Sequence, residues 1–254
     1  MIAFVIAVAS PSSRLDASDA ASLGFRPNAG ARLPLAVRLT DERARPVVLG
    51  EFFTTSPVIL VLEYLRCRSL CGVTLQSLIV DTLGKLPLNA GRDFQLVAIS
   101  IDPRDEPADA ASAQAKYAAL YNHREGATGM HFLTGSPAAV RQVADIVGFP
   151  YRYDSALDEY IHPSGFVVVA PDGVISRYVE GIAISPGDLG NALADAQQGK
   201  SQNPLIRLLL LCRLGAPGSG WLAASVMAAL TIANIGAALV AIAIFARIRR
   251  RRQG

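Results

Sequence analysis

The sequence predicts an α/β protein in which helices flank a central mixed β-sheet, followed by a transmembrane helix near the C-terminus. Aliphatic runs of strand length alternate with amphipathic helical segments, which is typical of parallel strands joined by crossover helices. Two β-branched runs around a Pro-Asp-Gly turn predict an antiparallel hairpin. A stretch of 26 residues near the C-terminus has no charged side chain, and a helix needs only about 20 residues to cross a bilayer.

The first strand–helix–strand unit lies between residues 57 and 101. The runs 57–64 ("PVILVLEY") and 94–101 ("FQLVAISI") are mainly aliphatic, as expected of strands buried on both faces. Between them, the apolar residues from Val73 to Leu86 recur at helical spacing. We therefore expect a parallel strand pair joined by a helix.

The later elements are indicated by caps, turns and β-branched runs. In chain order they are a helix at 107–121, a short strand at 130–133, a helix from Ser136-Pro137 to Gly148, the hairpin at 165–181 and a last helix beginning at Ser185-Pro186.

The chain divides into five predicted regions. They are a signal-like segment with a flexible lead (1–32), the α/β domain (33–198), a juxtamembrane linker (199–220), the transmembrane helix (221–246) and a basic tail (247–254).

The charge distribution predicts the membrane orientation and excludes nucleic-acid binding. Five arginines lie in 247–254, and positive charge beside a span predicts a cytoplasmic C-terminus. The α/β domain is then expected on the periplasmic side of a bacterial cytoplasmic membrane. The apolar run Ile2–Ala9, with an Ala-x-Ala pattern at its end, also favours export. Outside the tail the sequence has 19 basic and 21 acidic residues, so no basic surface for nucleic acid is expected.

Cys67 and Cys71 lie where the first aliphatic strand gives way to a helix. Active and binding sites of α/β sheets gather at this edge, and a helix N-terminus favours thiolate. Arg66 and Arg68 add positive charge on either side of Cys67. The i, i+4 spacing places both sulfurs on one helix face, where they could form a disulfide, run a redox cycle or bind one metal ion.

Among the three histidines, His162 is the best candidate for a third ligand. It lies just before the hairpin, in a loop that can approach a neighbouring strand–helix turn. Two thiolates and one imidazole suit copper, whereas zinc normally needs a fourth ligand. A loop histidine without any ligand role is the alternative for His162, and we interpret His123 and His131 as ordinary surface or half-buried histidines.

Four motifs carry a family resemblance. "LVLEYLRCRSLCGVTL", "LVAISIDPRDEP", "MHFLTGS" and "IHPSGFVVVAPDGVISRYVEG" occur in the order and spacing of the Sco/SenC family, over roughly residues 33–198. The resemblance implies a thioredoxin-like fold and one copper ion bound by Cys67, Cys71 and His162. It also implies a role in assembling the copper centre of a membrane oxidase, typically cytochrome c oxidase.

The sequence departs from the family pattern at three places. Arg68 and Gly72 stand where the family commonly has proline after each cysteine, and Ile161 stands where an acidic residue usually precedes the histidine. None of these changes removes a ligand. We expect them to alter the stiffness of the loops, the metal affinity or the redox potential of the site.

These features support one leading hypothesis and two alternatives. In the leading hypothesis, a membrane-tethered copper chaperone loads or prepares a respiratory oxidase subunit, with another chaperone or a thiol reductant as a further partner. The first alternative is a metal-free thiol–disulfide oxidoreductase, in which Cys67 attacks a disulfide and Cys71 resolves the mixed disulfide. The second is a structural disulfide between the same cysteines. His162 discriminates among them, since only copper binding requires it.

Two further side chains are ambiguous. Asp102 follows the second strand in "SIDP" and could tune the site, contact a partner or cap the following turn. Cys212 lies in the juxtamembrane segment, where a free cysteine usually serves as a small hydrophobe, and disulfide pairing or lipidation is the alternative.

Overall fold

Strands and helices alternate through the computed structural model, which describes residues 24–66, 71–121, 128–181 and 184–201, with only the backbone at 71 and 72. These residues belong to a single compact unit that ends at Gln202. None of the helices in these ranges is long and apolar enough to cross a bilayer. The predicted span at 221–246 and its basic tail lie outside the described residues.

Nine strands run through the described ranges. They are β1 (Arg38–Thr40), β2 (Pro46–Val48), β3 (Val58–Glu63), β4 (Gln95–Ser100), β5 (Met130–Leu133), β6 (Arg152–Asp154), β7 (Glu159–Ile161), β8 (Gly165–Val169) and β9 (Ile175–Glu180).

Four α-helices lie in the same ranges. They are α1 (Cys71–Gln76), α2 (Pro107–Leu120), α3 (Pro137–Val147) and α4 (Pro186–Gln197).

The central sheet has the order β5-β4-β3-β8-β9. Strands β3, β4 and β5 are parallel, whereas β8 is antiparallel to both β3 and β9. The predicted parallel pair and the predicted hairpin are both present, so the sheet is mixed as expected. With helices on both faces, this is the thioredoxin-like α/β fold that the family resemblance implies.

Strand β3 shows why the sheet is buried on both faces. All six of its residues are buried, and their side chains alternate between two apolar clusters. Ile59 and Val61 pack with residues of α1, α2 and α4, while Leu60 and Leu62 pack with α3 and the β1–β2 hairpin. The aliphatic run at 57–64 is therefore the centre of a three-layer core.

Local signals fix the ends of α3. The Ser136 hydroxyl accepts a hydrogen bond from the Ala139 amide at the N-cap, and Pro137 is the first helical residue. Gly148 ends the helix in the left-handed conformation with φ of +67°. Both ends agree with the sequence prediction.

The structure differs from expectation in three places. The short hairpins β1–β2 and β6–β7 were not predicted. The helix after Cys71 is α-helical only to Gln76 and continues as a π-helical turn, Ser77–Thr82. Residues 24–32, expected in a flexible lead, pack on the domain: the Phe25 ring lies 5.5 Å from that of Phe149, because this segment covers an apolar face beside α3.

Candidate functional site

The first half of the candidate site is the segment 64–70 between β3 and α1, together with Cys71 at the start of α1. We call it the cysteine turn. Cys67 and the side chain of Cys71 lie outside the described residues, so their pairing stays a prediction. The backbone of α1 begins at Cys71. Cys67 follows Arg66, the last described residue before the gap at 67–70.

The second half is His162, between β7 and β8. Strand β8 runs antiparallel to β3, with Leu60 opposite Val167, so the start of β8 lies at the carboxyl end of β3. The His162 ring accordingly meets Tyr64 edge to face at 6.0 Å. It stacks on Phe149 at 5.5 Å from the other side. The fold therefore brings His162 to the strand end that leads into Cys67.

The protonation of His162 follows from its surroundings. Its Nδ1 lies 2.9 Å from the Pro163 carbonyl oxygen, an acceptor, so Nδ1 carries the hydrogen and Nε2 carries the lone pair. Burial lowers the pKa of His162 below its ordinary value of 6.5, and the bond to Pro163 only partly opposes this. The imidazole is therefore neutral at pH 7.

The Nε2 atom of His162 is the strongest indication of a ligand. It is buried, and it has no hydrogen-bond partner among the residues that the structure describes. A buried polar atom without a partner costs about 1–3 kcal/mol, so it needs a reason to be there. Neutral imidazole nitrogen is a common metal ligand, and a lone pair beside the cysteine turn fits a copper ion.

Asp105, in the loop after β4, is a residue that sequence reasoning missed. Its buried carboxylate accepts hydrogen bonds from the Leu65 amide at 2.7 Å, from Arg66 Nε at 2.7 Å and from Ser100 Oγ at 2.6 Å. It thus ties the end of β4 to the segment entering the cysteine turn. The only sequence signal was a second aspartate in "IDPRDEP".

Asp105 also changes the interpretation of Arg66. Hydrogen bonding to Asp105 raises the pKa of Arg66, and Asp109 lies 3.7 Å from the same guanidinium. Two carboxylates therefore compensate the positive charge that was expected to favour a Cys67 thiolate.

Asp102 caps the turn that follows β4, as an aspartate at this position commonly does. Its carboxylate accepts from the Arg104 amide at 2.9 Å and from Arg104 Nε at 3.0 Å. Arg104 then reaches Asp158 at 2.8 Å in the β6–β7 turn, and hydrogen bonding to Arg104 lowers the pKa of Asp158. Because β7 leads directly to His162, this ion pair links the β4 loop to the histidine half of the site.

The other candidate residues are not part of this arrangement. His131 lies on the edge strand β5, where its ring faces Phe52 at 4.6 Å beside an open cleft of about 650 Å³. His123 and Cys212 lie outside the described residues. Within the described ranges, no group of three or more His, Cys, Asp or Glu side chains is arranged to hold a metal ion.

Comparison with known proteins supports the fold and the family. The SCO1/SenC family model matches residues 31–196, whereas no curated protein matches the chain. A candidate electron transfer protein from Aquifex aeolicus VF5 is 23% identical with a TM-score of 0.60, over 69% of this chain and 98% of that chain. A second protein from that organism, a candidate electron transport protein, is 25% identical with a TM-score of 0.56, over 68% and 100%.

Arabidopsis thaliana ScoI, solved with copper bound, is 18% identical with a TM-score of 0.52, over 68% of this chain and 99% of that chain. At such identities the structural likeness establishes the fold. The family match itself spans more than half of the 254 residues and includes both the cysteine turn and His162. We conclude that the chain belongs to the SCO1/SenC family.

Proposed function

We propose that this protein is a membrane-anchored copper chaperone that delivers copper to, or prepares, the copper centre of a respiratory oxidase. The observation that carries the proposal is the buried Nε2 atom of His162, which has no partner among the described residues and lies beside the strand that enters the cysteine turn. Membership of the SCO1/SenC family supports the same conclusion.

Cys67, Cys71 and His162 would hold the copper cargo. Thiolate sulfur favours Cu(I), and imidazole nitrogen helps to retain Cu(II), so this donor set accepts both oxidation states. Three ligands leave room for a donor from a partner protein. Copper would therefore leave by stepwise ligand exchange with the receiving oxidase subunit, and it would arrive from another chaperone in the same way.

The anchor would be the uncharged segment 221–246, with the arginine tail in the cytoplasm. The copper site would then face the periplasm. In this oxidising compartment Cys67 and Cys71 would close to a disulfide unless copper or a thiol reductant protects them. A reductant is therefore a second expected partner.

The decisive experiment is a copper titration of reduced residues 24–201 beside two histidine variants. We expect one copper per chain and a sulfur-to-copper charge-transfer band in the wild type. His162→Ala should lose or strongly weaken the Cu(II) band. The matched control His131→Ala removes another histidine of the same domain and should leave the band unchanged.

Two outcomes would contradict the proposal. If both histidine variants bind copper like the wild type, His162 is not a ligand. If no variant retains copper while Cys67 and Cys71 cycle readily between dithiol and disulfide, the protein is a tethered thiol–disulfide oxidoreductase that has kept the fold of its family.

A further inference from the structure

A buried carboxylate lies directly behind the cysteine turn. The Asp105 side chain is fully buried. A buried carboxylate is costly unless both of its oxygens accept hydrogen bonds. One oxygen, Oδ2, accepts from the Leu65 amide and from Ser100 Oγ, while Oδ1 accepts from Arg66 Nε. Two oxygens therefore hold three donors from two different chain segments.

The segment that Asp105 holds is the one that leaves the sheet. The ladder between β3 and β4 ends where the Ile101 amide donates to the Glu63 carbonyl oxygen at 2.9 Å. Beyond that point, Leu65 is bound through its amide to Asp105, and Arg66 is bound to Asp105 and to the Arg104 carbonyl oxygen. Cys67 is the next residue in the chain.

The hydrogen bonds through Asp105 form a tether between Leu65–Arg66 at one end and the end of β4 at the other. The β4 end is held within the sheet. Ser100 is the last residue of β4, which pairs with β3 on one side and β5 on the other, and it is buried. The Asp105 amide also donates to the Asp102 carbonyl oxygen at 3.1 Å, which closes the turn that carries the carboxylate. A movement of Leu65 and Arg66 would therefore break charge-assisted hydrogen bonds to a fixed acceptor.

We propose that Asp105 is a positioning residue for the cysteine pair. By binding the Leu65 amide, Arg66 and Ser100, it fixes the direction in which the chain enters Cys67. It thereby sets the geometry in which Cys67 and Cys71 bind copper or form a disulfide. The expected effect of Asp105 on copper binding rests on the proposed function. Its effect on the thiols does not depend on metal. Groups that orient metal ligands commonly change metal affinity by about 10–100-fold when removed.

Asparagine at position 105 would keep the shape and lose the function of the carboxylate. Its single oxygen can replace one acceptor, but its amide group would point donors at Leu65, Arg66 or Ser100. With its oxygen in the place of Oδ2, the asparagine keeps the Leu65 amide and Ser100 Oγ but turns its NH₂ group toward Arg66; in the opposite orientation it keeps Arg66 but turns its NH₂ group toward the Leu65 amide. In either case Asp105→Asn loses one of the three donors, and the hydrogen bonds that remain lose their charge assistance.

The chain offers a closely matched control. Asp41 is also buried, and its carboxylate accepts from the Arg43 amide at 2.9 Å, from the Arg45 amide at 2.8 Å and from Arg45 Nε at 2.8 Å. It has the same chemistry as Asp105, two backbone or hydroxyl donors and one guanidinium, but it lies in the β1–β2 turn. Asp41→Asn therefore reproduces a general loss of stability without touching the cysteine turn.

The test compares full-length wild type, Asp105→Asn and Asp41→Asn. The first readout is metal-free: the equilibrium between the Cys67–Cys71 dithiol and its disulfide in glutathione buffers. The second is the rate at which bound copper is lost to a chelator. We expect Asp105→Asn to shift the dithiol equilibrium several-fold and to accelerate copper loss about tenfold, whereas Asp41→Asn should match the wild type in both.

Hydrogen exchange of the Leu65 amide tests directly whether its bond to residue 105 is weakened. The Leu65 amide should exchange several-fold faster in Asp105→Asn than in Asp41→Asn, because its hydrogen bond loses either the charge of its acceptor or the acceptor itself. If Asp105→Asn does not fold, Ser100→Ala removes one of the three donors and should produce smaller shifts in the same direction.

The outcomes separate this proposal from the proposed function. If wild type retains copper but Asp105→Asn and Asp41→Asn are indistinguishable in both readouts, Asp105 is only a structural residue and the positioning proposal is wrong. If wild type retains no copper, the proposed function fails, and the positioning proposal is decided by the metal-free equilibrium alone.

Discussion

Replacing His162 by phenylalanine should stabilise the metal-free domain while it removes or strongly weakens the binding of Cu(II). The ring lies between Phe149 and Tyr64, at centroid distances of 5.5 Å and 6.0 Å. A phenyl ring keeps both aromatic contacts. It also removes the buried Nε2 atom, for which the described residues provide no partner.

The size of the effect follows from three contributions. Removing an unsatisfied buried polar atom should gain about 1–3 kcal/mol. Losing the hydrogen bond from Nδ1 to the Pro163 carbonyl oxygen should cost about 0.5–1.5 kcal/mol. Because the aromatic packing is retained, the free energy of unfolding should rise by about 1 kcal/mol. With a typical urea m-value near 2 kcal/mol/M, the midpoint should rise by about 0.5 M.

The assay is urea unfolding of copper-free, reduced residues 24–201, followed by circular dichroism. His162→Leu serves as a smaller apolar replacement, in case the phenyl ring is too large for the site. His131→Phe is the control, and it should bring no gain because neither ring nitrogen of His131 is a buried atom without a partner. A loss of 1 kcal/mol or more in both the Phe and the Leu variants would refute the reasoning, since it would mean that Nε2 has a partner in solution.

Three further predictions test other parts of the protein. Burial lowers the pKa of His162, so as the pH falls through 6.5 the unfolded chain binds a proton at this residue and the folded chain does not. At pH values below 6.5 the free energy of unfolding should therefore decrease by up to about 1.4 kcal/mol per pH unit. His162→Leu should flatten the measured pH profile. Gly148→Ala should cost about 2–3 kcal/mol in a thermal or urea melt, because φ is +67° and the new Cβ would lie 1.9 Å from the Arg26 carbonyl oxygen. A reporter fused after Gly254 should be active only in the cytoplasm; periplasmic activity would overturn the orientation inferred from the arginine tail.

The central fold was predictable because its signals are local. Strands β3 and β4 are mainly aliphatic, and helix α3 has a serine cap, a proline at its first position and a glycine at its end. The hairpins β1–β2 and β6–β7 have strands of only three residues, which is too short for a periodic pattern. The β6–β7 turn is in addition bound by the ion pair Arg104–Asp158, whose partners are 54 residues apart in sequence, and no local pattern indicates such a pair.

The sequence also indicated that the loop before the hairpin can approach a neighbouring strand–helix turn, and the His162 ring does lie against Tyr64 at the end of β3; its role as a ligand stays a prediction. The burial of its Nε2 was not predictable, because Tyr64 and Phe149 close around the ring from distant positions. Asp105 was missed for the same reason: "IDPRDEP" indicates a turn, but nothing in it indicates that the second carboxylate faces back toward Leu65.

The departures from the family pattern give Asp105 a particular importance in this chain. Proline after each cysteine would restrict the backbone of the turn through its fixed φ, but this chain has Arg68 and Gly72 there, and glycine leaves the backbone at its most flexible. Because that restriction is missing, the positioning proposal implies a larger role for the bonds from Asp105 to Leu65 and Arg66. Introducing proline at position 68 should therefore reduce the effect of Asp105→Asn on copper loss, whereas two independent contributions would simply add. A double-mutant cycle measured on the rate of copper loss distinguishes these cases.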